Sequence, residues 1–224
     1  MVIQSAAGET TLDIAADGSF RLAHRGRDFI VGASRRFRFE TLDMSLPDAG
    51  TTHLQTEAGG LVSRVRSIVD RRVGGRMLRT ERAWLHALPH VVVIIDRVVS
   101  TDPVELIADF AISDADGGLR TNIATQTRLV LRQHDAAMKF FLMVAETDGS
   151  PADAVLDSGL EDGFRRVRWQ LPGRGREHLM VFAAVLEAEP AIPQWHIDRS
   201  GADAIRIEGP DGSGLFVRFR EADD

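Results

Sequence analysis

Apolar and polar positions alternate with period two in short runs along most of this chain, the spacing of half-buried strands. Residues 36–40, Arg-Phe-Arg-Phe-Glu, alternate strictly. Residues 61–70 put Leu61, Val65 and Val69 on one face, with Arg64 and Arg66 on the other. Further strands are expected at 11–15, 19–24, 27–31, 104–112, 128–132, 138–145, 164–171, 178–186, 204–208 and 215–220. Turn signals separate them: Ala16-Asp17-Gly18, Arg25-Gly26, Gly74-Gly75, Ser100-Thr101-Asp102-Pro103, Gly173-Arg174-Gly175, and residues 114–118 and 209–214. Residues 46–60 are polar and turn-rich and predict a loop, and only 152–160 have the look of a short helix. Two runs, 91–95 and 138–145, are apolar on both faces. They belong at the centre of a sheet, with something covering its outer side. The pattern predicts an all-β fold, an antiparallel β-sandwich with at most one short helix, formed by residues 1–224 as a single domain.

The best-marked stretch is residues 79–100, RTERAWLHALPHVVVIIDRVVS. An arginine-bearing strand leads into a turn at Pro89, and a β-branched run then ends on Asp96-Arg97. With Arg82, Ala83-Trp84-Leu85 and residues 92–98 in this order, the chain resembles the C-terminal β-sandwich of heparinase II/III-like polysaccharide lyases, most clearly over 61–112. The resemblance implies a carbohydrate-related role. In that family a helical toroid supplies a catalytic tyrosine and the sandwich adds a histidine, commonly in a His-Asn pair. This chain has no tyrosine, its single asparagine, Asn122, follows Thr121, and no helical pattern precedes the strands. No catalytic residue of the family carries over. What the resemblance implies is an accessory, non-catalytic sandwich of a polysaccharide lyase or exopolysaccharide-related protein, contacting acidic polysaccharide or a helical toroid domain. A complete lyase acting by β-elimination is the alternative, and a structural or oligomerising sandwich is the third.

Composition narrows the chemistry. A formal charge of −6 argues against general nucleic-acid binding, which wants a basic surface. No apolar run approaches the roughly 20 residues of a membrane helix, so no membrane insertion is expected. The opening residues lack a basic region followed by an apolar stretch, so no signal peptide is expected, and the compartment is left open. Without cysteine there are no disulfides and no thiolate metal sites. All but one of the 27 basic residues are arginine, Lys139 being the exception, so planar bidentate donors dominate any anion site. Without tyrosine, an elimination would have to run on histidine and arginine.

His86 and His90 lie four apart on a strand-turn-strand unit and are the candidate acid/base pair of the lyase alternative. A metal would need a third ligand, Glu81 or His178, brought from elsewhere, so no metal site and no cofactor are expected. Arginines crowd residues 64–79 and 165–176. If 61–70 and 164–171 share a sheet, one solvent face is guanidinium-rich. Arg64, Arg66, Arg79, Arg82, Arg166 and Arg168 are then the candidate contacts to uronate or sulfate groups. Asp96, with Arg97, reads as an ion pair or turn cap at a strand end. The glycine-rich pieces 173–175 and 209–214 precede no helix and read as hairpin turns rather than phosphate loops.

Overall fold

The computed structural model describes residues 3–7, 9–15, 18–40, 43–46, 51–56, 63–73, 75–161 and 163–220. Its strands are β1 Ile3–Ala7, β2 Thr10–Ile14, β3 Phe20–His24, β4 Arg27–Arg38, β5 Asp43–Leu46, β6 Thr51–Thr56, β7 Ser63–Val73, β8 Arg76–Leu88 and β9 Val91–Ser113. They continue as β10 Arg120–Thr125, β11 Arg128–Gln133, β12 Ala136–Thr147, β13 Ser150–Pro151, β14 Val155–Glu161, β15 Phe164–Ala188, β16 His196–Ser200, β17 Ala204–Glu208 and β18 Gly214–Arg218. Among the described residues the helical content is one 3-10 turn, Ile192–Gln194, and no helix is long and apolar enough to cross a membrane.

The chain forms the all-β antiparallel sandwich that the alternation predicts. Two long strands organise it: β9 with 23 residues and β15 with 25 run side by side, from Phe164↔Ser113 to Val185↔Val91. The first half of β9 pairs with β8 and its second half with β4. Between these halves the β9–β15 register slips around Gly175, next to Pro103, which has no N–H to give to the ladder. The sheet folds over there, and its two halves pack face to face. Phe110 and Trp169 from one half meet Phe140 and Phe182 from the other, with ring centroids 4.9–5.3 Å apart. Edge-to-face packing of this kind holds the centre of the core.

A third layer lies outside. The outward side chains Val91, Val93, Ile95, Val181 and Val185 pack against Ile197, Ile205, Ile207 and Val217 of the sheet β16-β17-β18. That cover is why residues 91–95 and 138–145 are apolar on both faces.

Four local expectations fail. Residues 152–160 are not helical: β14 pairs with β15, and Ala152, Ala154 and Leu156 face the core at period two. Residues 46–60 are not simply a loop, because β5 pairs with β4 and β6 with β7, while 47–50 and 57–60 lie outside the described residues. Backbone pairing tolerates the threonine-rich, polar character of β6. Residues 100–103, expected as a turn, and 173–175, expected as a hairpin turn, are instead the bend inside two continuous strands. Gly175 is required there, since a Cβ would meet Thr147 Cγ2 at 2.3 Å.

Candidate functional site

Arg82 and Asp96 are direct cross-strand partners on β8 and β9. Nε donates to Oδ1 at 2.6 Å and Nη2 to Oδ2 at 2.7 Å, with both side chains fully buried. Arg35 brings a second buried guanidinium to 3.6 Å from the same carboxylate. The rings of Phe20 and Phe110 flank Arg82 at 5.8 and 5.9 Å. Asp96 thus pairs across the sheet rather than with Arg97, and Arg82 is not a surface contact for an anion: its charge is consumed inside the core.

His86 points inward from the same face of β8 and is 2% exposed. It does not converge with His90. His90 sits in the turn before β9, with Nδ1 3.0 Å from the Leu186 carbonyl and 3.5 Å from Glu187. The two proposed third ligands are engaged elsewhere. Glu81 accepts from Arg66 at 2.8 Å. His178 donates from Nε2 to the Val104 carbonyl at 2.7 Å and takes a 3.1 Å contact from Thr147 at Nδ1. Burial pulls the His178 pKa below its ordinary value.

The arginines fall on two opposite faces. β7 joins β8 and the first half of β9, whereas residues 164–171 join its second half, so the fold-over puts the two clusters in different layers. Arg166 and Arg168 converge with Arg36 on the buried carboxylate of Asp109, at 3.8, 3.1 and 3.7 Å. Glu161 takes a second contact from Arg168 at 2.5 Å. That face is an arginine–carboxylate lattice. On the other face Arg66 is tied to Glu81 and Arg79 is exposed, while the side chain of Arg64 lies outside the described residues.

Beside Arg79 the surface opens into a cavity of about 410 Å³. Its lining includes Arg97, Val99, Glu146, Glu177, His178 and Arg220, and Val99 is the cross-strand partner of Arg79. Glu146 is 4% exposed and holds Arg220 by a short ion pair and Arg199 at 3.5 Å. Arg97 donates to the Phe219 carbonyl, which anchors the third layer at the rim. The wall at Gly149 is a two-residue turn in which Asp148 and Gly149 both take positive φ, 50° and 75°. Asp148 accepts the N–H groups of Glu177 and Arg176, each at 2.9 Å, and these bonds lower its pKa. Sequence reasoning missed Glu146, Glu177 and Arg220. The available signal was a charge at an outward position of a strand otherwise apolar on both faces, as at Glu146 in β12.

A second cluster lies at the far end of β15. His24, His90 and Glu187 each offer a ligand atom within 4.8 Å of the others. His24 is fully buried, with Nδ1 2.9 Å from Thr10 Oγ1, and burial lowers its pKa. His24 was not singled out from sequence because its partners are 66 and 163 residues away and no spacing rule joins them.

No protein-family model matches the sequence, and no curated protein matches it. Solved structures do. A heparinase III chain superposes with TM-score 0.67 at 9% identity, covering 97% of this chain and 40% of that one. The heparan sulfate lyase HepC from Pedobacter heparinus gives 0.66 at 10%, covering 99% and 43%. The galactose 1-epimerase from Lactobacillus acidophilus gives 0.58 at 7%, covering 84% of this chain and 95% of that one. The fold is therefore the β-sandwich found as a portion of heparinase III chains. This chain spans about 40% of the length of those it matches.

Proposed function

We propose that this chain is an accessory sandwich of a carbohydrate-active protein and that the cavity beside Arg79, Arg97 and Arg220 receives an acidic glycan. The observation that carries the reading is the mixed lining of a roughly 410 Å³ cavity, with guanidinium and carboxylate groups side by side, on this fold. Carboxylates accept from sugar hydroxyls, and arginine forks take uronate or sulfate oxygens in pairs. Glu146 holds Arg220 at the rim, so that its guanidinium is positioned before a ligand arrives. Of the arginines named from sequence, Arg79 stands nearest, across the ladder from Val99 of the lining, whereas Arg66 is tied to Glu81. Arg166 and Arg168 serve the opposite face.

The test is calorimetric titration with uronate-containing polysaccharides and with neutral ones. Binding should favour the acidic chains, weaken with added salt, and fall about tenfold or more in Arg79→Ala and Arg97→Ala. Equal binding of acidic and neutral chains, or full binding by Arg79→Ala, defeats the reading. Binding to a helical toroid domain in place of glycan would move the same face to a protein partner.

One observation favours a complete enzyme as second reading: the same sandwich makes up nearly the whole of the epimerase chain. In that case His90, which is partly exposed, is the better acid/base group than buried His86. Ultraviolet absorbance from unsaturated uronates, lost in His90→Ala, would identify an elimination.

A further inference from the structure

We infer that His24, His90 and Glu187 form a binding site for a divalent transition-metal cation, with Zn²⁺ the best fit, where β3, the turn before β9 and the end of β15 meet. The inference is independent of any carbohydrate role.

The hydrogen bonds around the three side chains prepare them as ligands. A backbone carbonyl can only accept, so the 3.0 Å contact from Leu186 O fixes the proton of His90 on Nδ1 and leaves a lone pair on Nε2. His24 is fully buried, its Nδ1 is engaged with Thr10 Oγ1 at 2.9 Å, and its Nε2 has no hydrogen-bond partner. A buried ring nitrogen is ordinarily partnered. The Thr10 hydroxyl can accept or donate, and in the tautomer that donates Nδ1–H to it the His24 Nε2 lone pair is the atom left without a partner. Each imidazole thus has one nitrogen anchored and the other available, the arrangement that metal-ligating histidines use. Glu187 is held on one side: Oε1 accepts the N–H of Ala188 at 2.8 Å, while Oε2 lies 3.5 Å from His90 Nδ1 and must turn toward the Nε2 side to share an ion.

Two imidazoles and one carboxylate match the preferences of zinc. The set has too few oxygens for Ca²⁺ and no thiolate for softer ions. Tetrahedral coordination at about 2.0–2.2 Å needs donor atoms about 3.3 Å apart, so the present separations of up to 4.8 Å must close somewhat. The two movable partners are in suitable places. His90 lies in a turn and Glu187 one residue from the end of β15, both partly exposed, while His24 is fixed. Three protein ligands leave a fourth position for water on the solvent side of His90. Because His24 belongs to the β4 half of the sandwich and Glu187 to the β12 half, the ion would tie the two layers together.

The test uses the full chain without a polyhistidine tag, stripped with chelator and titrated with Zn²⁺ by calorimetry near neutral pH. One ion should bind per chain, and the unfolding midpoint should rise with Zn²⁺. His24→Ala removes a core side chain and risks unfolding, so the deciding variants are His90→Ala and Glu187→Gln. Each should weaken binding about tenfold or more and abolish the rise in midpoint. His134→Ala, which removes an exposed histidine paired with Asp116, should change neither. Absence of binding, wild-type affinity in His90→Ala, or loss of binding in His134→Ala each overturns the assignment.

Discussion

At Asp96 one carboxylate answers two buried guanidiniums, Arg82 through a fork of 2.6 and 2.7 Å and Arg35 at 3.6 Å. The stretch that gives the chain its likeness to lyase sandwiches is thus a structural device, since its arginine and aspartate are each other's partners. Removing one member of such a pair strands a charge in the core. Asp96→Asn should therefore lower stability by about 3–5 kcal/mol in urea titration. A loss below about 1 kcal/mol would mean that water reaches the pair. Sequence pointed to Arg82 as a surface donor because charged residues are rarely buried. Only the register Arg82↔Asp96 reveals the compensation.

At the scale of the element, the bend in β9 and β15 depends on one glycine out of two. At Gly175 a Cβ would lie 2.3 Å from Thr147 Cγ2 and 2.9 Å from Asp148 Oδ2, whereas at Gly173 nothing lies within 4 Å. Gly175→Ala should cost about 1–3 kcal/mol by overpacking. Gly173→Ala should stay within about 0.5 kcal/mol of wild type. Paired thermal melts separate the two, and equal effects would show that the close approach of β12 is not what fixes the bend. The Gly-Arg-Gly run reads as a hairpin turn in sequence because turn and bulge draw on the same residue type. Likewise Ala152, Ala154 and Leu156 are too short a run to separate a two-residue period from a helical one, and pairing with β15 decided for the strand.

For the molecule as a whole, His178 links three elements at the fold-over: β15, which carries it, the bend of β9 through Val104 O, and β12 through Thr147. Burial holds its folded pKa below the ordinary 6.5. The unfolded chain therefore binds a proton first as pH falls. The contribution of His178 to stability is complete above about 6.5, declines as pH drops through that value, and levels off only below the depressed folded value. His24 is shifted in the same direction by burial and adds to the slope. The discriminating measurement is the difference between wild type and His178→Gln: urea midpoints across this range should fall less steeply in the variant. Parallel curves would rule out His178 as a source of the acid sensitivity.

The alternation of side chains by itself determined that this chain is built of antiparallel strands, that most of them lie half-buried, and that residues 91–95 and 138–145 are covered on both sides. Those properties follow from which way successive residues point, and that is written locally. It did not determine that β9 and β15 each run unbroken through the bend, that Arg66 and Arg166 face opposite ways, or that His24 meets His90 and Glu187. Such facts depend on where the sheet folds over and which strands then lie across from each other. Contacts between residues dozens of positions apart are fixed by packing and register, so only the tertiary structure decided which charges are spent inside and which line a cavity.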